Sequence, residues 1–211
     1  QKVWDYIPWE ILIVDNASSD RSIEIAIETW EKYEGKTPIK IIKLSKTGIL
    51  EARDTAIENA EYNFILFCNP GDLLNRNYVK MVSVDMMKER NLGILGSYTE
   101  AEINKNLMKD LPKWYSDWSN YCYQIGEQFE YTSAVTWTRG YVWGSGMAIR
   151  KEAWESLKQK NFKSVFENKY DKIYKYSIDE ELCYALRLSG WTIWYNIDLK
   201  LRHFISENDL S

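Results

Sequence analysis

Short apolar runs alternate with helical segments along the first half of the chain, and this alternation constrains the fold more than any other feature. Four runs have the length and composition of buried strands: residues 11–14, 39–44, 64–68 and 93–97. Between them lie segments with a 3.6-residue apolar period, each introduced by capping or turn residues. Strands joined by single helices predict a parallel, doubly wound α/β sheet, whose ligands bind beyond the carboxyl ends of the strands.

The second half of the chain departs from this pattern. The apolar residues between positions 100 and 141 follow neither the 3.6-residue period of a helix nor the 2-residue period of a strand. The many Trp and Tyr residues of this stretch argue against disorder. Residues 142–149 are predicted to form a strand and Lys151 to begin a short helix. A further helix over residues 182–189 ends at Gly190, and short strands follow at 192–195 and 199–202. The length is compatible with a single domain over residues 1–211.

Composition argues against several classes of protein. The chain carries 27 Lys and Arg against 31 Asp and Glu, a net charge of -4, which lacks the basic footprint of a nucleic-acid-binding domain. No apolar run reaches the ~18 residues of a membrane span, and there is no signal-peptide pattern. The three cysteines follow neither a disulfide nor a metal-binding pattern, which fits a reducing compartment. We expect a cytoplasmic protein, with peripheral attachment to the inner face of the membrane as an open alternative.

Three consecutive acids, Asp179, Glu180 and Glu181, stand at the head of the last predicted helix. Ser177 and Glu180 have the spacing of a capping box, and negative charge is favourable at a helix N-terminus. From these residues alone, a structural role at the helix start is more common than catalysis.

Five segments in order connect the chain to a known family. They are residues 10–20, Gly48 with Ala52 and Arg53, residues 64–67, residues 143–150, and residues 179–191 followed by His203. In this order they resemble a family 2 glycosyltransferase over residues 9–204. The resemblance implies the three-layer α/β glycosyltransferase A fold with a mostly parallel central sheet. It also implies a nucleotide-sugar donor and, in most members, inversion at the anomeric carbon.

The resemblance assigns the catalytic and nucleotide-binding roles. An inverting transfer needs a base that takes the proton of the acceptor hydroxyl, and Asp179 occupies the position of the family's base. Asp15 matches an Asp that binds the nucleobase or ribose, and Arg53 matches a helix residue near the nucleotide. Read without the resemblance, Asp15 is a turn former, and Arg53 could pair with an acid on its own helix.

A divalent cation, Mn²⁺ or Mg²⁺, is also implied, because the leaving diphosphate needs its charge offset. The family carries Asp-x-Asp after the third strand, where this chain has Asn69, Pro70, Gly71 and Asp72. Asp72 is expected to substitute as donor contact and oxygen ligand, although the segment also reads as a plain turn. His203, the only histidine, matches a position that completes the metal site; such a lone histidine is more often structural.

The second half is expected to border the acceptor. Gly144 and Gly146 are small residues on a strand that borders the donor sugar and acceptor in the family. Trp143 and Trp191 are expected near the site, and Glu181 matches a recurrent Glu. Aromatic residues between 114 and 143 could stack on sugars, although such clusters more often only pack. Residues 1–99 would form the nucleotide-binding half and residues 100–211 the acceptor and catalytic half.

The family begins with a strand and a helix that precede the segment matched from Trp9 onward. Only Gln1 to Pro8 lie before it, so the resemblance implies a chain truncated at its start that lacks the first, central strand. An empty gap is disfavoured because unpaired buried backbone groups cost ~1 to 3 kcal/mol each. A fragment of a longer protein whose sheet re-pairs or associates, for example as a homo-oligomer, is the favoured hypothesis. A sheet that closes up without its centre and a strand donated by another chain are the alternatives.

Three hypotheses follow. The first is an inverting glycosyltransferase of polysaccharide biosynthesis, which moves a sugar from a UDP- or GDP-linked donor to a glycan or other hydroxyl. The second is a degenerate or truncated domain of the same fold that binds a sugar or a partner without catalysis. The third is an unrelated nucleotide-binding α/β domain, which the absence of a Gly-x-Gly-x-x-Gly or phosphate-loop motif disfavours.

Overall fold

The computed structural model describes residues 1–33, 35–45, 47–103, 132–136, 140–165 and 177–205. Most of the predicted aromatic stretch, including Trp114, Trp118 and Trp137, lies outside these ranges. The strands of the described part are β1 (Ile11–Asp15), β2 (Ile39–Lys43), β3 (Phe64–Leu66), β4 (Asp72–Leu74), β5 (Leu92–Ile103), β6 (Ser133–Ala134), β7 (Ala148–Arg150) and β8 (Thr192–Ile205). The helices there are α1 (Ser22–Lys32), α2 (Ile49–Asn59), α3 (Tyr78–Lys88), α4 (Lys151–Gln159) and α5 (Ser177–Leu188).

The chain divides into two compact units. One, which we call the N-terminal unit, is residues 5–63; the other, the main unit, is residues 1–4 together with the chain from Phe64 onward. The boundary therefore lies at residues 63–64, whereas residue 99, where the two predicted halves meet, lies within β5. The single-domain assignment itself stays a prediction.

The N-terminal unit is a β-α-β segment followed by a helix. β1 and β2 pair in parallel from Ile11 opposite Ile39 to Asp15 opposite Lys43, as the two apolar runs predict. α2 packs against β1 and buries Ile57. The backbone N–H of Gly48 donates to the side-chain oxygen of Asn16 at 2.8 Å, which ties the start of α2 to the end of β1.

The main unit contains a six-stranded mixed sheet in the order β3-β7-β5-β8-β4, with β6 also paired to β8. Its long central pair, β5 and β8, is parallel, and its other pairings are antiparallel. The α/β fold class is confirmed. The sheet is mixed: the longest pairing, β5 with β8, is parallel, as is β1 with β2 in the N-terminal unit, and the four shorter pairings are antiparallel. An apolar run reports that a segment is buried but not the direction of its partner.

Local differences from the predicted elements have identifiable causes. The strand predicted over residues 142–149 is shortened to β7, because the chain turns at Gly146, whose φ is +71°. The two strands predicted after Gly190 are one strand, β8, whose pairing with β5 shifts register between Ser97 and Tyr98. β4 was not expected, because Asp72–Leu74 are a short segment and directly follow a sequence that is typical of a turn.

The core of the main unit lies between α3 and the sheet. Its buried members are Tyr78, Val82, Met86, Leu92, Leu95, Ala148, Leu199 and Leu201. α4 and α5 contact each other and the sheet, and bury Trp154 and Leu186 among other side chains. None of the helices in the described ranges combines the length and apolar character needed to cross a bilayer.

Candidate functional site

Hydrogen bonds connect Asp72 on β4 to Asp179 on α5 through the turn that precedes β7. The backbone N–H of Gly144 donates to Oδ2 of Asp179 at 2.7 Å. The hydroxyl of the next residue, Ser145, lies 2.6 Å and 2.7 Å from the two carboxylate oxygens of Asp72. Nδ1 of His203 lies 2.7 Å from Oδ1 of the same carboxylate. The predicted base and both predicted metal ligands therefore belong to one hydrogen-bond network within the main unit.

The turn at the centre of this network, residues 144–147, is held by the surrounding backbone. The N–H of Gly146 donates to the carbonyl of Phe67 at 3.1 Å, and the N–H of Phe67 donates to the carbonyl of Met147 at 2.9 Å. The buried Tyr78 hydroxyl donates to the Gly146 carbonyl at 2.7 Å. A side chain at Gly146 would collide with Leu201 and with the Tyr78 hydroxyl. Packing and a positive φ therefore account for Gly146, and its predicted approach to a ligand stays a prediction.

Asp179 lies in the first turn of α5, as the sequence indicates, and is 6% exposed. The Gly144 amide fixes the orientation of its carboxylate. Tyr141 lies near this group: burial raises the pKa of Tyr141 to about 12, with further contributions from the negative charges of Glu180 and Asp179. The Tyr141 ring also contacts that of Trp143, with centroids 5.5 Å apart. Trp143, predicted to lie near the site, thus belongs to an aromatic pair beside the predicted base.

Asp72 and His203 face each other because β4 and β8 pair antiparallel with these two residues in register. The Asp72 carboxylate also accepts the N–H of Asn69 at 2.7 Å, which closes the tight turn at Gly71. The side chain of Asp72 is 0% exposed and that of His203 is 23% exposed. No group of three or more His, Cys, Asp or Glu side chains in the described ranges is arranged to hold a metal ion. A cation-binding role for Asp72 does not fit this arrangement, because its carboxylate is enclosed and already accepts three donors.

The two predicted nucleotide contacts, Asp15 and Arg53, lie in the N-terminal unit. Asp15 is the last residue of β1, at the carboxyl end where ligands of such folds bind, and its carboxylate accepts the N–H of Ser18 at 3.1 Å. That bond is the turn-forming contact which the sequence also allowed. Arg53 lies on α2 and is 6% exposed. Nucleotide binding by both residues stays a prediction.

Glu181 and Trp191 make contacts that hold the fold. The Glu181 carboxylate accepts the hydroxyl of Ser164 and, at 2.8 Å, the N–H of Val165, so it ties this segment to α5. The indole N–H of Trp191 donates to the hydroxyl of Ser156 on α4 at 2.9 Å. The capping box predicted for Ser177 and Glu180 stays a prediction, because the side chain of Ser177 lies outside the described residues.

Two residues of the network were not among the predicted site residues. Ser145 lies inside the segment 143–150 that carries the family resemblance, but a single serine between glycines has no distinctive spacing. Tyr78 reads as an ordinary helix residue, and its contact with Gly146 spans 68 positions. Neither contact could be inferred from local sequence.

Comparison with known proteins identifies the fold. A crystal structure of TarS from S. aureus superposes on 95% of this chain with a TM-score of 0.61 at 19% identity. GalNAc-T7 with UDP, GalNAc and Mn²⁺ gives a TM-score of 0.61 at 11% identity over 95% of the chain. A mannosyltransferase, PcManGT from Pyrobaculum calidifontis, in complex with GDP-Man and Mn²⁺, gives 0.59 at 13% identity over 94%. The chain spans 32% to 48% of the length of these proteins. These likenesses confirm the glycosyltransferase A fold.

Sequence comparison identifies the family. The poly(ribitol-phosphate) beta-N-acetylglucosaminyltransferase TarS of Staphylococcus aureus is 31% identical over 74 residues, which are 34% of this chain and 12% of that protein. Residues 1–158 match the sequence profile of the family described as Glycosyl transferase family 2. The predicted resemblance is thereby confirmed, and the chain belongs to glycosyl transferase family 2.

Proposed function

We propose that this chain is the catalytic domain of an inverting glycosyltransferase, which moves a sugar from a nucleotide-sugar donor to an acceptor hydroxyl. The observation that carries the proposal is the network joining Asp179, through Gly144 and Ser145, to Asp72 and His203. Membership of glycosyl transferase family 2 supports the reaction class. A role in polysaccharide synthesis is supported by the likeness to TarS, a transferase that acts on poly(ribitol-phosphate).

In the proposed reaction, the acceptor oxygen attacks the anomeric carbon as the bond from that carbon to the diphosphate oxygen breaks. The proton of the acceptor hydroxyl passes to the Asp179 carboxylate, and the nucleoside diphosphate leaves with the bonding electron pair. The Gly144 N–H holds Oδ2 of Asp179 in one orientation, so the base is positioned before the acceptor arrives. Inversion follows because attack and departure occur on opposite faces of the sugar.

The donor is proposed to be a UDP- or GDP-linked sugar, supported by the UDP and GDP-Man complexes of two structural neighbours. Asp15 and Arg53 are the proposed nucleotide contacts. Trp143, Gly144, Gly146, Glu181 and Trp191 are the proposed residues on the acceptor side. Completion of the sheet in a homo-oligomer, and a cytoplasmic location with or without attachment to the inner membrane face, remain further predictions.

A divalent cation belongs to this proposal because both of those neighbours were crystallised with Mn²⁺. His203, whose side chain is 23% exposed, is the residue we propose near it. The enclosed carboxylate of Asp72 does not fit as its partner ligand. We therefore derive no step of the reaction through a metal ion.

A second function is supported by the sequence of residues 69–72. Asn69 and Gly71 stand where the resemblance expects the two aspartates of the metal-binding motif. A domain that binds a sugar or a partner without catalysis would tolerate these replacements. The network would then serve only to hold the turn before β7.

The deciding experiment is calorimetric titration of the chain with UDP and with GDP, each with and without Mn²⁺, followed by assays for release of nucleoside diphosphate from the sugar-linked donors. Binding of one nucleotide together with turnover is expected. Binding without turnover on any acceptor would favour the non-catalytic function. The absence of binding under all four conditions would overturn the enzymatic proposal for this chain.

A further inference from the structure

The carboxylate of Asp72 is enclosed by its neighbours in the network. Its side chain has 0% exposure. Three donors surround it: the Asn69 N–H at 2.7 Å, the Ser145 hydroxyl at 2.6 Å, and Nδ1 of His203 at 2.7 Å. An ionised carboxylate can only accept hydrogen bonds, so each of these neighbours is the donor. The burial of this charge is compensated by charge-assisted bonds.

These contacts are incompatible with coordination of a cation by Asp72. A cation at this carboxylate would have to displace at least one of its donors, and each displaced group would need a new partner. Displacing the Ser145 hydroxyl would free the turn before β7. Displacing Nδ1 of His203 would release the side chain expected to serve as the second ligand.

We propose that Asp72 is a positioning residue, which fixes His203 with its proton on Nδ1 and fixes the 144–146 turn through Ser145, and that it does not coordinate a cation. The proposal rests on the proposed function only in that Asp179 and His203 belong to the proposed active site. A carboxylate bonded to one ring nitrogen sets the tautomer of the imidazole, so that Nε2 carries the lone pair.

Asp72 thereby acts on both sides of the site. One bond sets the imidazole of His203, and the other reaches Asp179 through Ser145 and the Gly144 amide. The two ends of the network come from β8 and α5, so their relative position depends on the residues between them. Because a displacement of ~1 Å can cost ~100-fold in rate, loss of Asp72 should lower kcat more than it weakens donor binding.

The chain allows a direct test because His203 is its only histidine. We would label histidine with ¹⁵N in the full chain and record long-range ¹H–¹⁵N spectra of the neutral imidazole. The expected result is the Nδ1-protonated form, the reverse of the preference of free histidine. Predominance of the Nε2-protonated form in the wild-type chain would overturn the proposal, and this measurement requires no variant.

Variants then separate the bond of Asp72 to His203 from its bond to Ser145. Asp72 accepts bonds on both of its oxygens, whereas the amide of Asn has only one accepting oxygen. Asp72→Asn should therefore shift the imidazole towards the Nε2-protonated form and move the amide signal of Gly144. Ser145→Ala should move the Gly144 signal and leave the tautomer as in the wild type. Glu102→Gln is the matched control: its exposed carboxylate pairs with Arg202 beside His203 at 2.8 Å, and its loss should change neither signal. A Gly144 signal that is unmoved in both Asp72→Asn and Ser145→Ala would contradict the proposed coupling.

Activity gives an independent readout. If Asp72 bound a cation, excess Mn²⁺ would restore the turnover of Asp72→Asn, whereas a positioning role predicts no recovery. Restoration by Mn²⁺ would therefore overturn the proposal. A chain that binds no nucleotide would overturn the proposed function and leave the tautomer result to decide this inference by itself.

Discussion

The N–H of Gly144 donates a 2.7 Å hydrogen bond to the carboxylate of Asp179, across 35 positions of sequence. This bond joins a turn of the sheet to the first turn of α5. It holds the predicted base by a backbone group, which only a substitution by proline would remove. Variants of Asp179 can therefore be designed to change the chemistry while they keep the contact.

Asp179→Asn should abolish most of the transferase activity and leave the fold intact. The amide oxygen of Asn can still accept the Gly144 N–H, but the amide cannot take a proton from the acceptor. We expect kcat to fall by ~100- to 10,000-fold, the usual contribution of a general base. Release of nucleoside diphosphate measures turnover, and thermal unfolding checks the fold. Glu180→Gln, at the neighbouring position, should retain near wild-type turnover; undiminished activity of Asp179→Asn would remove Asp179 as the base.

Gly146→Ala should destabilise the protein much more than Gly190→Ala. Both glycines have positive φ, +71° and +92°, but only at Gly146 would a methyl group meet other atoms within 4 Å. We expect a loss of about 1 to 2 kcal/mol at Gly190 from backbone strain and about 2 to 5 kcal/mol at Gly146 from strain and overpacking together. Urea unfolding of the two variants measures the difference. Equal losses would show that the contacts around Gly146 relax freely.

Arg150→Met should cost the main unit about 2 to 4 kcal/mol, because it leaves buried carbonyl groups without a donor. The guanidinium donates to the carbonyls of Leu92 at 2.9 Å, Met86 at 2.6 Å and Glu89 at 3.0 Å. Arg150→Lys should recover little, since an ammonium lacks the planar fork.

The matched control for Arg150 is Arg202→Met. Arg202 forms an exposed ion pair with Glu102, with side chains 50% and 38% exposed. Its loss should change stability by less than ~1 kcal/mol. Chemical denaturation compares the three variants with the wild type, and similar losses for Arg150→Met and Arg202→Met would contradict the role assigned to Arg150.

Stability should fall as the pH rises from about 10 to about 12, and Tyr141 should contribute to that fall. Burial, assisted by the charges of Glu180 and Asp179, raises its pKa from 10.0 to about 12. A raised pKa means that the unfolded chain loses this proton first, so the contribution is complete below pH 10 and disappears through pH 12. Tyr141→Phe should flatten the dependence of the melting temperature on pH in this window. A fall as steep as that of the wild type would exclude the contribution.

The sequence predicts the elements of the fold better than their pairing. Apolar periodicity locates β1, β2, β3 and the helices within a few residues, because burial leaves a local signature. The antiparallel partner of β3 is β7, some eighty positions later, and no local pattern specifies such a choice. The short β4 was missed for the same reason: its residues form a strand only because β8 lies beside them.

For the candidate site as well, the residues were predictable from the sequence and the contacts between them were not. Asp179 and His203 were selected because they occupy family positions, and Asp72 because it lies one place after the expected pair of aspartates. The structure brings the three into one network. Their physical connection was not predictable, since the Ser145 hydroxyl reaches Asp72 across 73 positions. The burial of Asp72, which argues against coordination of a cation, depends on three separate segments of chain. A residue type indicates which chemistry is available, but the neighbours decide which of its possible roles it performs.

The central pair of β5 and β8 determines when the main unit can fold. The paired strands are Leu92–Ile103 and Thr192–Ile205, and residues 1–4 belong to the same unit, with the Lys2 N–H bonded to the Arg76 carbonyl. The N-terminal unit is continuous in sequence, so all of its segments are available once residue 63 has left the ribosome. The main unit must wait for its last strand, and its non-local pairing makes its folding slow. A chain whose synthesis stops before residue 192 would therefore contain β5 without its longest partner and would expose one edge of that strand.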